Sequence, residues 1–154
     1  MDDGPHAGAI RGTLVGMTFA PIIRTQTDLE RAWRQLMGPW GYGRHSLWLM
    51  VIQDDVPVPQ LTEIDECVEP PDAELKEGFA HLLGALAHDL GGDPRFAVLR
   101  TRPGTGAVTD DDRAWARCVY GAAATAEVGC EIVHLGTEGS IRPLPPDEVI
   151  AASA

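Results

Sequence analysis

Apolar residues along this chain fall into helix-spaced stripes and short continuous runs, with turn residues between them. The first stripe is Leu29, Trp33, Leu36 and Met37, and Gly38-Pro39 ends it. Thr27-Asp28-Leu29-Glu30 opens it as a capping box, in which Thr27 covers a backbone donor and Glu30 reaches back. Residues 46–52 (SLWLMVI) are too short for a typical helix and predict a strand covered on both faces. Gln53-Asp54-Asp55 supplies a turn, and residues 57–65 (PVPQLTEID) predict the return arm of a hairpin. Its two prolines lack backbone donors, which sends this arm to a sheet edge.

A second helix follows Pro70-Pro71, capped by Asp72 and striped by Leu75, Phe79, Leu82, Leu83, Leu86 and Leu90. Gly91-Gly92 stops it. Residues 96–101 predict a strand, and Thr109-Asp110-Asp111-Asp112 begins a third helix with carboxylates where the helix dipole favours them. Ala114, Trp115, Cys118, Val119, Ala122 and Ala126 give that helix its packing face, and Gly129 ends it. Residues 130–135 predict a strand, Thr137-Glu138-Gly139 a turn, and residues 140–144 a last strand. Pro143, Pro145 and Pro146 direct the tail out of regular structure. The expected fold class is α/β, a mixed β-sheet of about five to six strands with three helices. It forms one domain over residues 25–150. Residues 1–24 form a loose tail with room for one edge strand around residues 12–18.

Composition narrows the function classes. The 154 residues suit a single domain with a real core. With 23 acidic against 12 basic residues, the net charge of −11 argues against broad nucleic-acid binding, which requires a positive field. No apolar run reaches the length of a membrane span, and Met1-Asp2-Asp3 lacks the basic start of a signal peptide. Cys67, Cys118 and Cys130 are odd in number and form no CxxC pair, so neither a disulfide framework nor a zinc site is expected. The expected location is the cytoplasm.

The candidate chemistry is sparse. His81 and His88 share a helix face without an HExxH pattern, and His6, His45 and His134 stand apart, so no metal site is assigned. Ser46, Ser140 and Cys118 lack a GxSxG context. The four tryptophans sit at apolar positions, and Trp40 with Tyr42, set among glycines, could form a contact patch. The densest feature is residues 96–129, a strand, a glycine-rich loop and an acidic helix start. There Arg100 and Arg102 alternate on one strand face, followed by Gly104, Gly106 and Asp112. Two uses are open. The arginines could hold an anion beside the helix N-terminus, or pair at the surface with Asp110, Asp111 or Asp112, the commoner fate of such charges.

The order of elements over residues 44–144 resembles the JAB/JAMM fold, in particular the JAB domain of RadC-like proteins. In that family a strand hairpin leads to a helix, then to a strand running into HxHPxG, an Asp-bearing helix, a DHL-like strand and a final hairpin. Here the counterparts are SLWLMVI with PVPQLTEID, residues 72–90, Arg100-Thr101-Arg102-Pro103-Gly104, Thr109 to Asp112, Val133-His134-Leu135 and Gly139. The resemblance implies a three-layer, cytidine-deaminase-like arrangement. It also implies that the two zinc-ligand histidines are replaced by Arg100 and Arg102, that Asp112 takes the aspartate position, and that His45 or Ser46 falls where a water-activating glutamate belongs.

The expectation is a non-catalytic pseudo-JAB domain with no cofactor and no metal. It would bind a protein partner or small anionic ligand through Arg100, Arg102, Gly104, Gly106 and Asp112. Two alternatives stand beside it: a metal-independent enzyme using Asp112 or His134 with the arginines as anion clamp, and a structural subunit of a larger assembly.

Overall fold

The computed structural model describes residues 21–37, 43–105 and 107–151. Helix α1 (Gln26–Met37) is followed by strands β1 (Ser46–Gln53) and β2 (Val56–Ile64), helix α2 (Ala73–Leu90), strand β3 (Arg95–Thr101) and helix α3 (Asp110–Ala126). Strands β4 (Gly129–Cys130), β5 (Val133–Thr137) and β6 (Ser140–Leu144) come next, then helix α4 (Pro146–Ala151). The described residues thus form an α/β structure on one mixed, open sheet of order β2-β1-β3-β5-β6. β1 is antiparallel to both β2 and β3, β5 runs parallel to β3, and β6 returns antiparallel.

The continuous apolar run of β1 is explained by burial on both faces. Leu47, Leu49 and Val51 pack under α2 and α3 with Phe96, Val98, Trp115 and Val119. Trp48, Met50 and Ile52 face α1, where they meet Leu29, Trp33, Leu36 and Met37. β3 divides in the same way: Phe96 and Val98 turn to one side, Ala97 and Leu99 to the other. Arg100 therefore falls on the α2/α3 side and Thr101 on the α1 side.

The hairpin β1–β2 turns through Asp54 and Asp55, both in the left-handed region (φ 56° and 65°) that aspartate tolerates better than most residues. As the prolines require, β2 lies at the end of the strand order. Residues 58–60 stand across from Val51 alone, so Pro59 falls in a bulge that demands no ladder donor.

Several local expectations shift. α1 is capped by Thr25, not Thr27: Thr25 Oγ1 accepts from the Asp28 N–H at 3.1 Å, and Asp28 accepts from the N–H groups of Arg24 and Thr25. Glu30 is thereby released for another contact. Residues 21–24, assigned to the loose tail, include Ile23, which is buried and donates its N–H to Asp55 O at 2.7 Å. The expected strand 130–135 is broken into β4 and β5 because Glu131 steps out of register, its carboxylate taking Arg95 Nε at 2.6 Å. Leu75 and Leu90, expected in the α2 stripe, are exposed. Finally, Pro146 starts α4 instead of ending structure, since proline's missing N–H costs nothing in a first helical turn. The described residues thus hold four helices where three were expected. Residues 12–18, Trp40 and Tyr42 lie outside the described residues. No helix among the described residues is long and apolar enough to cross a membrane.

Candidate functional site

β3 delivers Arg100 and Arg102 to the face that α3 covers, and α3 begins there with a reciprocal cap. Thr109 Oγ1 accepts from the Asp112 N–H at 3.1 Å, and Asp112 Oδ2 accepts from the Thr109 N–H at 2.9 Å. This cap turns the Asp112 carboxylate back beneath the helix start, away from exposed Asp110, which pairs with Arg113. Arg100 Nε reaches Asp112 Oδ1 at 2.8 Å. Arg102 grips the same carboxylate side-on, Nε to Oδ1 at 2.9 Å and Nη2 to Oδ2 at 2.9 Å. The side chain of Asp112 is 0% exposed, that of Arg100 2% and that of Arg102 11%.

Both guanidiniums also bond backbone carbonyls. Arg100 Nη1 bonds Cys67 O at 3.1 Å, in the connector between β2 and α2, and its guanidinium carbon lies 5.8 Å from the Trp115 ring centre. Arg102 bonds the carbonyls of Pro103 and Ala107, bracing the glycine-rich loop. Burial alone would raise the Asp112 pKa. Hydrogen bonds from Arg102, Arg100 and the Thr109 N–H outweigh it and hold the carboxyl down at about 2.

The clamp is thus the buried version of the pairing reading, with Asp112 chosen from the three aspartates. An external anion would have to compete with Asp112 for these donors. Gly104 is exposed with a φ of 92°, and Gly106 lies outside the described residues. A zinc ion does not fit this set. The guanidiniums of Arg100 and Arg102 carry only donors and stay charged, and Asp112 already accepts from both arginines and Thr109. No group of three or more His, Cys, Asp or Glu side chains among the described residues could hold a metal ion.

On the opposite sheet face lies a second polar cluster that sequence reasoning missed. Glu63 is buried on β2, across from Trp48, and accepts from Ser46 Oγ at 2.8 Å and Arg44 Nη2 at 3.0 Å. Asp65 takes the other Arg44 nitrogen. Its register with Trp48 puts Glu63 on the α1 side of the sheet, away from Asp112. An acidic side chain within a strand, between Thr62 and Ile64, is the signal that could have singled it out.

His134 is also on the α1 side, across from Leu99. It is fully buried, with Nδ1 3.0 Å from Ile132 O and Nε2 3.4 Å from the Glu30 carboxylate. Burial lowers its pKa; Glu30 and the Ile132 carbonyl oppose this without reversing it. The sheet therefore separates His134 from the arginines, while Asp112, the other acid–base candidate, lies between them. His81 and His88 are exposed on α2, while Trp33, Trp48 and Trp115 are buried in the core. Comparison with family models, characterised proteins and solved structures finds no match to this chain.

Proposed function

We propose that the chain is a non-catalytic JAB-like domain that acts by binding a partner at the edge where a metallo-hydrolase would keep its metal. The observation that carries this reading is the single buried Asp112 carboxylate shared by Arg100 and Arg102. In it, two internal cations occupy the ligand positions and satisfy the aspartate that would otherwise bind metal. The succession of hairpin, helix, strand, acid-capped helix and returning strands supports the same reading. Hydrolysis by a metal-bound water needs neutral ligands and an open coordination position; the clamp offers neither. Metal-free acid–base chemistry draws no support from a carboxylate held ionised by its own arginines.

The test is metal analysis of the full chain after incubation with excess zinc and gel filtration, alongside assay on isopeptide-linked substrates. The expected result is substoichiometric zinc and no cleavage. Stoichiometric zinc that disappears in Asp112→Asn would overturn the reading.

A further inference from the structure

Beside the clamp, Leu47 and Ile64 of the hairpin, Leu75, Phe79 and Leu82 of α2, and Trp115 of α3 line an open apolar groove of about 320 Å³. Gly78 lies in its wall, and a side chain added there would meet no atom within 4 Å of its Cβ. Of the large apolar residues exposed among those described, Leu75 and Val68 belong to this groove or to the connector at its end. Such a surface, contiguous and unfilled, marks a place of contact.

The segment that runs from its hairpin wall to its helix wall is acidic. The chain that joins Ile64 to Leu75 carries Asp65, Glu66, Glu69, Asp72 and Glu74 and no basic residue. Asp65 is paired with Arg44. Glu66, Glu69, Asp72 and Glu74 are exposed and make no ion pair with another described residue. The next cation, Lys76, lies against Gly121 on the α3 side of the helix, and Arg100 behind Trp115 is spent on Asp112.

We infer that this groove binds a basic peptide segment of a partner protein, a bulky apolar side chain seated over Gly78 and flanking Lys or Arg residues facing the carboxylates. The inference rests on the reading of the domain as a binding module and gives that partner its chemistry. A second copy of this chain, itself at −11, is disfavoured by the same rim. Apolar burial supplies the affinity, and the acidic rim supplies selectivity and association rate.

Two fluorescently labelled decapeptide pools test this, both with Leu, Phe or Trp at the centre, one flanked by Lys/Arg and the other by Glu. Anisotropy with the full chain should show the basic pool binding at least about tenfold more tightly, and weakening as salt rises. Gly78→Leu fills the groove and replaces a helical glycine, so it should fold at least as stably and lose about tenfold or more of that affinity. Glu66→Gln/Glu69→Gln/Glu74→Gln should erase the preference between pools. Failure of both pools to bind, equal binding of both, or unchanged affinity in Gly78→Leu would overturn the inference. So would sedimentation showing a dimer that Gly78→Leu dissociates. Each of those results leaves the zinc test standing, and zinc uptake would leave the groove result standing.

Discussion

Arg100 Nε and Asp112 Oδ1 meet at 2.8 Å beneath the first turn of α3, twelve residues apart in the chain and both closed off from solvent. Their partnership is completed by Arg102, so the cluster carries one net positive charge within the protein. Removing the shared anion should therefore cost more than removing either cation. Asp112→Ala leaves two guanidiniums uncompensated and strips the α3 cap, and is expected to destabilise by about 3–5 kcal/mol. Arg102→Ala leaves Asp112 with Arg100 and Thr109 and should cost about 1–3 kcal/mol. Urea unfolding of the variants checks the order. Equal losses would show that the three residues do not share one ion-pair system.

The depressed Asp112 pKa fixes a pH dependence. Its folded value, about 2, lies below the ordinary 3.8, so near pH 3 the unfolded chain binds more protons than the folded one. The resulting stability is fully present above about pH 4 and is lost as pH falls from there towards 2. The difference corresponds to about 2 kcal/mol. Wild type should lose this increment in acid relative to Asp112→Asn, whose stability curve should be flatter between pH 4 and 2. Parallel curves would contradict the assignment.

Much of this arrangement was legible in the sequence, because caps and prolines are local signals. Asp72 caps α2 as expected, α3 starts at the expected Thr109–Asp112 run, and the prolines of β2 mark an edge strand. Alternation along β3 correctly set Arg100 and Arg102 on one face. The choice of Asp112 from three consecutive aspartates depended on the reciprocal cap, which turns that side chain inward. Elsewhere two adequate local signals competed. Thr25 with Asp28 displaced Thr27 with Glu30, and Pro146 served as a first helical residue where a breaker was expected. The groove and the His134–Glu30 contact were not legible, since both depend on how far α2 and α1 stand from the sheet.

His134 contributes a second, milder pH dependence. Burial sets its folded pKa below the ordinary 6.5, although Ile132 O and the Glu30 carboxylate both present acceptors to the ring; Arg34 adds to the lowering. Just below pH 6.5 the unfolded chain thus binds more protons, and stability from this site, complete above pH 6.5, declines as pH falls toward the folded value. NMR of the His134 ring protons should give a midpoint below 6.5. His134→Phe should lessen the slope of stability against pH in this window. A midpoint above 6.5 would show that Glu30 prevails over burial.

The three cysteines should be inert in the folded protein. Burial pushes the Cys67 and Cys118 thiols up to about 11 and Cys130 up to about 12, and Cys67 and Cys130 also lie within reach of backbone carbonyls. At pH 8 a thiol titrating near 11 is ionised only about one part in a thousand, against about one in ten at the ordinary 9.0. Since the thiolate is the nucleophile, labelling with a chromogenic disulfide at pH 8 should be about a hundredfold slower or more than for an unstructured cysteine peptide. In denaturant all three thiols should react at the peptide's rate. Rapid labelling of one thiol in the native state, with the others silent, would reveal a local opening around it and overturn the expectation.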